Sequence, residues 1–213
     1  MISAILMMAG NATRMHSKEN KVFLALGKKM VFEYALELFL SYDFEVICVI
    51  RKEDRCHLKQ YEGRVKIVYG GTTRQESVYQ GLKEATRDYV LIHDAARPFL
   101  AKDIVDCCIH ALKQGKACLV VQPCKDSVYL KSPLQVISRD TLALAQTPQG
   151  GKTKEFLEIH HQAKQDGVAA TDDISLFLQY KSSMVELIEG NDHNFKITTQ
   201  LDYITAKELV KYV

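Results

Sequence analysis

Two fixed positive charges, Arg14 and Lys21, stand beside a run of small residues, Ala9-Gly10-Asn11-Ala12-Thr13. Residues this small let backbone N–H groups approach a ligand closely. With the two cations they form a cradle for a polyphosphate. The plain alternative is an ordinary turn after a strand, with surface cations near it. Neither GxGxxG nor GxxxxGK[ST] follows the opening strand, which argues against a dinucleotide fold and a P-loop NTPase.

A carboxylate is available to complete such a site. The run YVLIHDAARPF is apolar up to His93 and Asp94, so Asp94 stands where a strand leaves its sheet. Mg²⁺ prefers one or two carboxylates plus phosphate oxygens to an all-protein cage, and one aspartate beside a phosphate cradle suits it. Arg97 follows and can hold a second anion. The alternative is that Asp94 caps the next segment and pairs with Arg97. In GGTTRQESVYQGL the glycines Gly70 and Gly71 can bring backbone groups against a planar base. Arg74 is placed to meet phosphate, and Ser77 either touches the base or, like Thr73, starts a helix. Lys196, in NFKITTQLD, has no carboxylate at helical spacing and taken alone reads as a solvated surface lysine. Thr171 divides between a ligand role and capping a helix whose first acids, Asp172 and Asp173, suit its dipole.

The elements that must position these residues alternate. Strands are expected at Ile2–Met8, Glu45–Ile50, Val65–Tyr69, Tyr89–His93 and Ala117–Gln122, and near Met184–Ile188. Helices are expected at Val31–Leu40, Gln75–Ala85, Asp103–Lys113, Lys154–Lys164, Asp172–Tyr180 and Leu201–Val210. Gly70-Gly71, Pro123 and Pro148 read as connectors. This predicts an α/β, doubly wound, mostly parallel sheet with helices on both faces and a ligand at the carboxyl ends of its strands. The segment Cys124–Gln146 breaks the alternation. SVYL and QVI flank a Ser-Pro turn signal, which predicts a protruding β-hairpin arm.

The chain has 213 residues, 47% of them hydrophobic, which suits a single domain over 1–213 with the arm at 124–146. A net charge of +2 is too mild to argue for nucleic acid or an anionic membrane surface. Six cysteines without a C-x-x-C pair read as reduced thiols of a cytoplasmic protein, and no zinc spacing links them to the histidines. The opening apolar run lacks a basic flank and a cleavage site, so no signal peptide is expected, and no run is long enough to span a membrane. No second catalytic domain is expected after the last helix.

Taken in order, AGNATRM with Lys21, GGTTRQESVYQGL, HDAARPF, PCKDS, QTPQ, TDD and NFKITT resemble the 2-C-methyl-D-erythritol 4-phosphate cytidylyltransferases almost end to end. The resemblance implies a Rossmann-like nucleotidyltransferase fold whose arm builds a homodimer. It implies transfer of a cytidylyl group from CTP to a polyol phosphate, with Mg²⁺ and release of pyrophosphate. By position, Arg14 and Lys21 would be catalytic and bind the triphosphate. Gly71, Ser77 and the backbone of Met8, Ala9 and Gly10 would hold the nucleotide, and Asp94 the metal. Arg97, Ser127, Arg139, Thr147, Thr171 and Lys196 would surround the acceptor, with Ser127 and Arg139 supplied by the partner's arm. Several positions depart from the usual pattern: Ala12 for a second glycine, Asn20 for proline, Ser127 for threonine, and Gly150-Gly151 for an aromatic residue. A ribitol-5-phosphate cytidylyltransferase is the alternative on the same fold. Ala96 favours the methylerythritol enzyme, since the ribitol enzymes tend to have valine there. A non-catalytic nucleotide-binding protein with a degenerate site is the alternative from another class.

Overall fold

The computed structural model describes residues 1–10, 20–182 and 184–212. Arg14, Ala12 and the rest of residues 11–19 lie outside the described residues. The strands are β1 (Ile2–Met7), β2 (Ala25–Leu26), β3 (Lys29–Met30), β4 (Glu45–Ile50), β5 (Lys66–Tyr69), β6 (Tyr89–Asp94), β7 (Ala117–Pro123), β8 (Val128–Lys131), β9 (Leu134–Ile137), β10 (Ala143–Lys152) and β11 (Val185–Glu189). The α-helices are α1 (Val31–Leu40), α2 (Arg74–Glu84), α3 (Lys102–Lys113), α4 (Thr153–Asp166), α5 (Asp173–Tyr180) and α6 (Gln200–Leu209). Among the described residues no helix is long and apolar enough to cross a membrane.

Seven strands form one sheet in the order β11-β7-β10-β6-β1-β4-β5. The chain starts at β1, winds outward through β4 to β5, then returns to β6 on the other side of β1. The order therefore reverses between β1 and β6, where open α/β sheets leave a crevice at the strands' carboxyl ends. β1 is parallel to both neighbours, and Met7 is in register with Asp94. Residues alternate across the sheet with period two. Leu6 and Met8 pack with Phe32, Leu36 and Phe39 of α1 and Val105 and Cys108 of α3. Ile5 and Met7 pack on the opposite face with Val78 of α2, Phe156 of α4 and Phe177 of α5. Each such Leu or Phe, fully buried, contributes about 1.5–3 kcal/mol. Helices on both faces hold the strand ends, and so the crevice, in place.

The expected β-arm is present but shorter than Cys124–Gln146. Its two strands are β8 and β9, while Ala143–Gln146 already belong to β10. That strand was not expected. It runs antiparallel between β6 and β7, so Pro148 is no connector but lies inside the sheet. The β7–β10 register shifts between Ala145 and Gln149, a bulge of the kind that admits proline. The glycine pair after it serves close approach. A Cβ at Gly150 would stand 2.2 Å from the Val90 carbonyl oxygen, and one at Gly151 2.4 Å from the Phe156 ring. An aromatic residue at Gly150 would not fit this sheet. Residues Lys52–Tyr61, for which no element was expected, form 3-10 turns.

Candidate active site

Two cavities open at the crevice and share a wall. The first, of about 300 Å³, is lined by Met7, Ala9 and Gly10 after β1, by Lys21, by Gly71–Arg74 after β5, and by Ser77, Asp94 and Lys196. The second, of about 290 Å³, is lined by Arg97, Thr147, Gln149, Thr171 and Asp172, and again by Arg74, Asp94 and Lys196. Those three shared residues form an ion-paired partition. Lys196 Nζ donates to Asp94 Oδ2 at 2.7 Å, and Arg74 Nε lies 3.4 Å from Oδ1. The surface reading of Lys196 is thereby corrected: its carboxylate is 102 residues away in sequence. Burial alone would raise the Asp94 carboxyl, but Arg74, Lys196 and Arg97 hold it well below the usual carboxylate range.

Arg74 is fixed from behind. Its Nη2 donates to Asp173 Oδ2 at 2.8 Å, and Asp173 also lies 3.4 Å from the buried His160 Nε2. Burial opposes the charge on Arg74 too, yet Asp173 and Asp94 raise its pKa. Asp173 in turn sits at the start of α5, where the Asp173 and Ile174 N–H groups both donate to Gln149 Oε1 at 3.0 Å. The N-cap is Asp172, which accepts from the Ser175 N–H at 2.7 Å. Thr171 therefore stands just ahead of the helix, in the wall of the second cavity.

Arg97 does not pair with Asp94 through its side chain. Its Nη1 donates to the Asn194 carbonyl at 2.7 Å. Asn194 is fully buried and donates to Gln146 Oε1 and the Thr147 carbonyl, both at 2.9 Å. The Thr147 hydroxyl is turned inward. It accepts the Asp94 N–H at 3.1 Å and lies 3.0 Å from His93 Nδ1. His93 Nε2 faces the Arg97 carbonyl at 3.1 Å, which can only accept. The Nε2–H donates there, leaving Nδ1 to accept the Thr147 proton. Burial pushes the His93 pKa down to about 4, which keeps the ring neutral.

In the first cavity, Thr73 caps α2 by accepting the Glu76 N–H. The Ser77 hydroxyl accepts from the Gly71 N–H at 3.1 Å and donates to the Thr73 carbonyl at 2.8 Å. A Cβ at Gly70 would fall 2.6 Å from Ser77 Oγ and 2.8 Å from Ala9 Cβ, so glycine lets this loop close against the first strand's exit. Lys21 opens a short 3-10 turn over Lys21–Phe23. Met8 is not in the wall. Its side chain is buried, its N–H donates to Val49 O at 2.8 Å, and its carbonyl accepts from Asn20.

The structure thus brings Ala9, Gly10, Lys21, Gly71, Ser77, Asp94, Arg97, Thr147, Thr171 and Lys196 to the two cavities. It does not bring Ser127 or Arg139 there. Arg139 Nη1 donates to the Lys125 carbonyl at 2.8 Å, and its side chain lines a separate hollow at the base of the arm. Sequence reasoning passed over Asp173, Gln149, His93 and Asn194 as site residues. Position near a strand end or at a helix start was the local signal for His93 and Asp173, whereas Gln149, inside β10, and Asn194, in a 3-10 turn, carried none.

Asp94 is the carboxylate common to both cavities, with its two oxygens on Lys196 and Arg74. Among the described residues no three His, Cys, Asp or Glu side chains gather into a protein-only metal cage. A single carboxylate of this kind suits a cation completed by phosphate oxygens and water.

The model of the 2-C-methyl-D-erythritol 4-phosphate cytidylyltransferase family matches residues 2–212. The relative of that name from Clostridium tetani is 37% identical over 222 residues, covering 98% of this chain and 89% of its own. The one from Bacillus cereus is 31% identical, covering 99% and 98%. Among solved structures, 4-diphosphocytidyl-2C-methyl-D-erythritol synthase from Anaerococcus prevotii superposes with a TM-score of 0.87 at 31% identity, covering 99% of this chain and 98% of that one. The Thermus thermophilus 2-C-methyl-D-erythritol 4-phosphate cytidylyltransferase gives 0.83 at 30% identity, covering 99% and 100%.

Proposed function

The chain belongs to the 2-C-methyl-D-erythritol 4-phosphate cytidylyltransferase family, and we infer from that membership how its two cavities divide the reaction. It transfers a cytidylyl group from CTP to 2-C-methyl-D-erythritol 4-phosphate, giving the CDP-alcohol and pyrophosphate, in the non-mevalonate route to isoprenoids. The observation that supports the division is the shared partition of Arg74, Asp94 and Lys196. CTP occupies the first cavity, with its base against Gly71 and Ser77 and its phosphates toward Ala9, Gly10 and Lys21. The acceptor phosphate occupies the second, beside Arg97, Thr171 and Lys196.

An acceptor phosphate oxygen attacks the α-phosphorus in line. The bond from that phosphorus to the bridging oxygen breaks, and pyrophosphate leaves with the electron pair. The nucleophile is already ionised at neutral pH, so alignment and charge stabilisation do the catalytic work rather than a general base. Lys196, which lines both cavities, offsets repulsion between the two anions. Lys21 and Arg14 stabilise charge on the α-phosphate and the leaving group. Thr147, with its hydroxyl committed to His93 and the Asp94 N–H, meets the acceptor through its remaining surface and holds Asp94 in place. Mg²⁺ held by Asp94 would neutralise triphosphate charge.

Ser127 and Arg139 serve the acceptor site of a second copy. Support comes from the hairpin, where Tyr129, Leu130, Leu134 and Val136 are exposed large hydrophobics. Tyr129, Leu134 and Val136 share one face of the hairpin, with Leu130 on the other, and an exposed apolar face of this kind is suited to being covered by another subunit. A single nucleotidyltransferase domain over 1–213 and a cytoplasmic location complete the reading. The free, buried thiols of Cys48, Cys108 and Cys118 support the latter.

The test is pyrophosphate release by the purified chain with CTP and Mg²⁺. Release with methylerythritol phosphate and not with ribitol 5-phosphate is the expected result. Release with ribitol phosphate alone would overturn the acceptor, and CTP binding without release would overturn catalysis.

A further inference from the structure

Lys21 follows Asn20, whose side chain is hydrogen-bonded through both its amide nitrogen and its amide oxygen. Asn20 is 2% exposed. Its Nδ2 donates to the Met8 carbonyl at 2.6 Å and lies 3.3 Å from Asp54 Oδ2. Its Oδ1 accepts the Val22 N–H, capping the turn that carries Lys21. The amide orientation is forced, because a carbonyl and a carboxylate accept on one side while an N–H donates on the other. Asparagine supplies donor and acceptor at once, which neither aspartate nor serine does at this reach.

The partners of Asn20 are themselves immobilised. Met8 continues β1, and its N–H donates to Val49 O of β4 at 2.8 Å. Asp54 is gripped by a two-pronged contact from Arg51, Nε to Oδ2 at 2.6 Å and Nη2 to Oδ1 at 2.8 Å. Arg51 directly follows β4. The ends of β1 and β4 and the turn bearing Lys21 are thus one hydrogen-bonded unit, closed through a single side chain.

We propose that Asn20 is a positioning residue for the cytidylyl transfer, acting through Lys21 by clamping its turn to the end of β1. The proposal rests on the role given to Lys21 above. Misplacing a catalytic charge by about 1 Å can cost on the order of 10²-fold, and loosening the turn costs part of that. A capping role alone would affect stability and leave turnover intact.

Steady-state pyrophosphate release with CTP and methylerythritol phosphate is measured for the unaltered chain, N20A, N20S, K21A and N20A/K21A. Thermal unfolding is followed in parallel. Serine keeps an acceptor for the Val22 N–H but does not reach the Met8 carbonyl, so N20S guards against a variant that fails to fold. The expected result is a kcat about tenfold lower in N20A and N20S, KM for CTP within about twofold, and a double variant no slower than K21A. Wild-type kcat in a folded N20A or N20S overturns the proposal while Lys21 keeps its role. So does a double variant slower than K21A by the full N20A factor. Wild-type turnover in K21A overturns the role of Lys21 and the proposal with it, and absence of turnover in the unaltered chain overturns both through the reaction itself.

Discussion

Replacing His93 by glutamine should flatten the acid limb of the chain's stability. His93 is completely buried, against Phe39 and beneath the cavity partition, and burial lowers its pKa from 6.5 to about 4. The unfolded chain takes up a proton here below about pH 6.5, while the folded chain does not until about pH 4. Stability is therefore unaffected by this group well above pH 6.5 and falls as the pH drops through the window. At ~1.4 kcal/mol per pH unit the full window is worth about 3.5 kcal/mol, of which about 2.5 kcal/mol is spent by pH 4.5. Asp94 and Asp173 have depressed pKa values. Their contributions are present above the ordinary carboxylate range and are lost below it, under the histidine window.

Urea unfolding at fixed protein concentration, at several values between pH 7 and pH 4.5, measures the effect. His93→Gln is less stable at pH 7, because the bonds to Thr147 and the Arg97 carbonyl are lost or weakened. The gap to wild type then narrows by about 2–3 kcal/mol as the pH falls. Parallel pH dependences in the two proteins would refute the assignment of a neutral, buried His93, and with it the hydrogen-bond direction inferred for Thr147.

Lys21→Ala should lower kcat by about 10²-fold or more, as removal of a transition-state charge donor commonly does, and near-normal turnover would sink the role. Asp173→Asn leaves Arg74 half-partnered beside a buried His160. Allowing for the partial exposure of Arg74, the expected cost is about 2–3 kcal/mol, seen as a Tm lower by about 5–10 °C; an unchanged Tm would remove Asp173 from the support of the partition. Gly150→Ala places a methyl 2.2 Å from the Val90 carbonyl in the centre of the sheet. Roughly 3 kcal/mol of destabilisation is expected in chemical unfolding, and a loss under 1 kcal/mol would show that β6 and β10 separate easily.

The regions that the sequence displayed are those where short-range pattern and final structure agree. The apolar run into Ala9-Gly10 and the run into Asp94 are buried strands ending in a crevice, and both endings are visible in composition. β10 was hidden because QTPQGGK carries the chemistry of a turn. Its strand identity is imposed from outside, by Val90 and Phe156 closing on two glycines and by a bulge that accommodates Pro148. The partition was hidden for a related reason. Asp94 meets Lys196 across 102 residues and Arg74 across 20, and no local spacing encodes either pairing.

Net charge speaks to partners and not to the site. A formal charge of +2 over 213 residues argues against nucleic acid or an anionic membrane surface and leaves local charge open. Among the described residues, however, Lys21, Arg74, Arg97 and Lys196 line the two cavities against Asp94 and Asp172, a local surplus of two. The surplus at the site equals that of the whole chain, so the remaining charges cancel elsewhere. Asp94 and Asp173 are what allow those cations to be held together in advance, since each offsets repulsion between neighbours that would otherwise splay. A site prepared this way is incomplete without its anionic substrates. On the proposed division of the two cavities, triphosphate and acceptor phosphate would supply the negative charge that the protein itself leaves out.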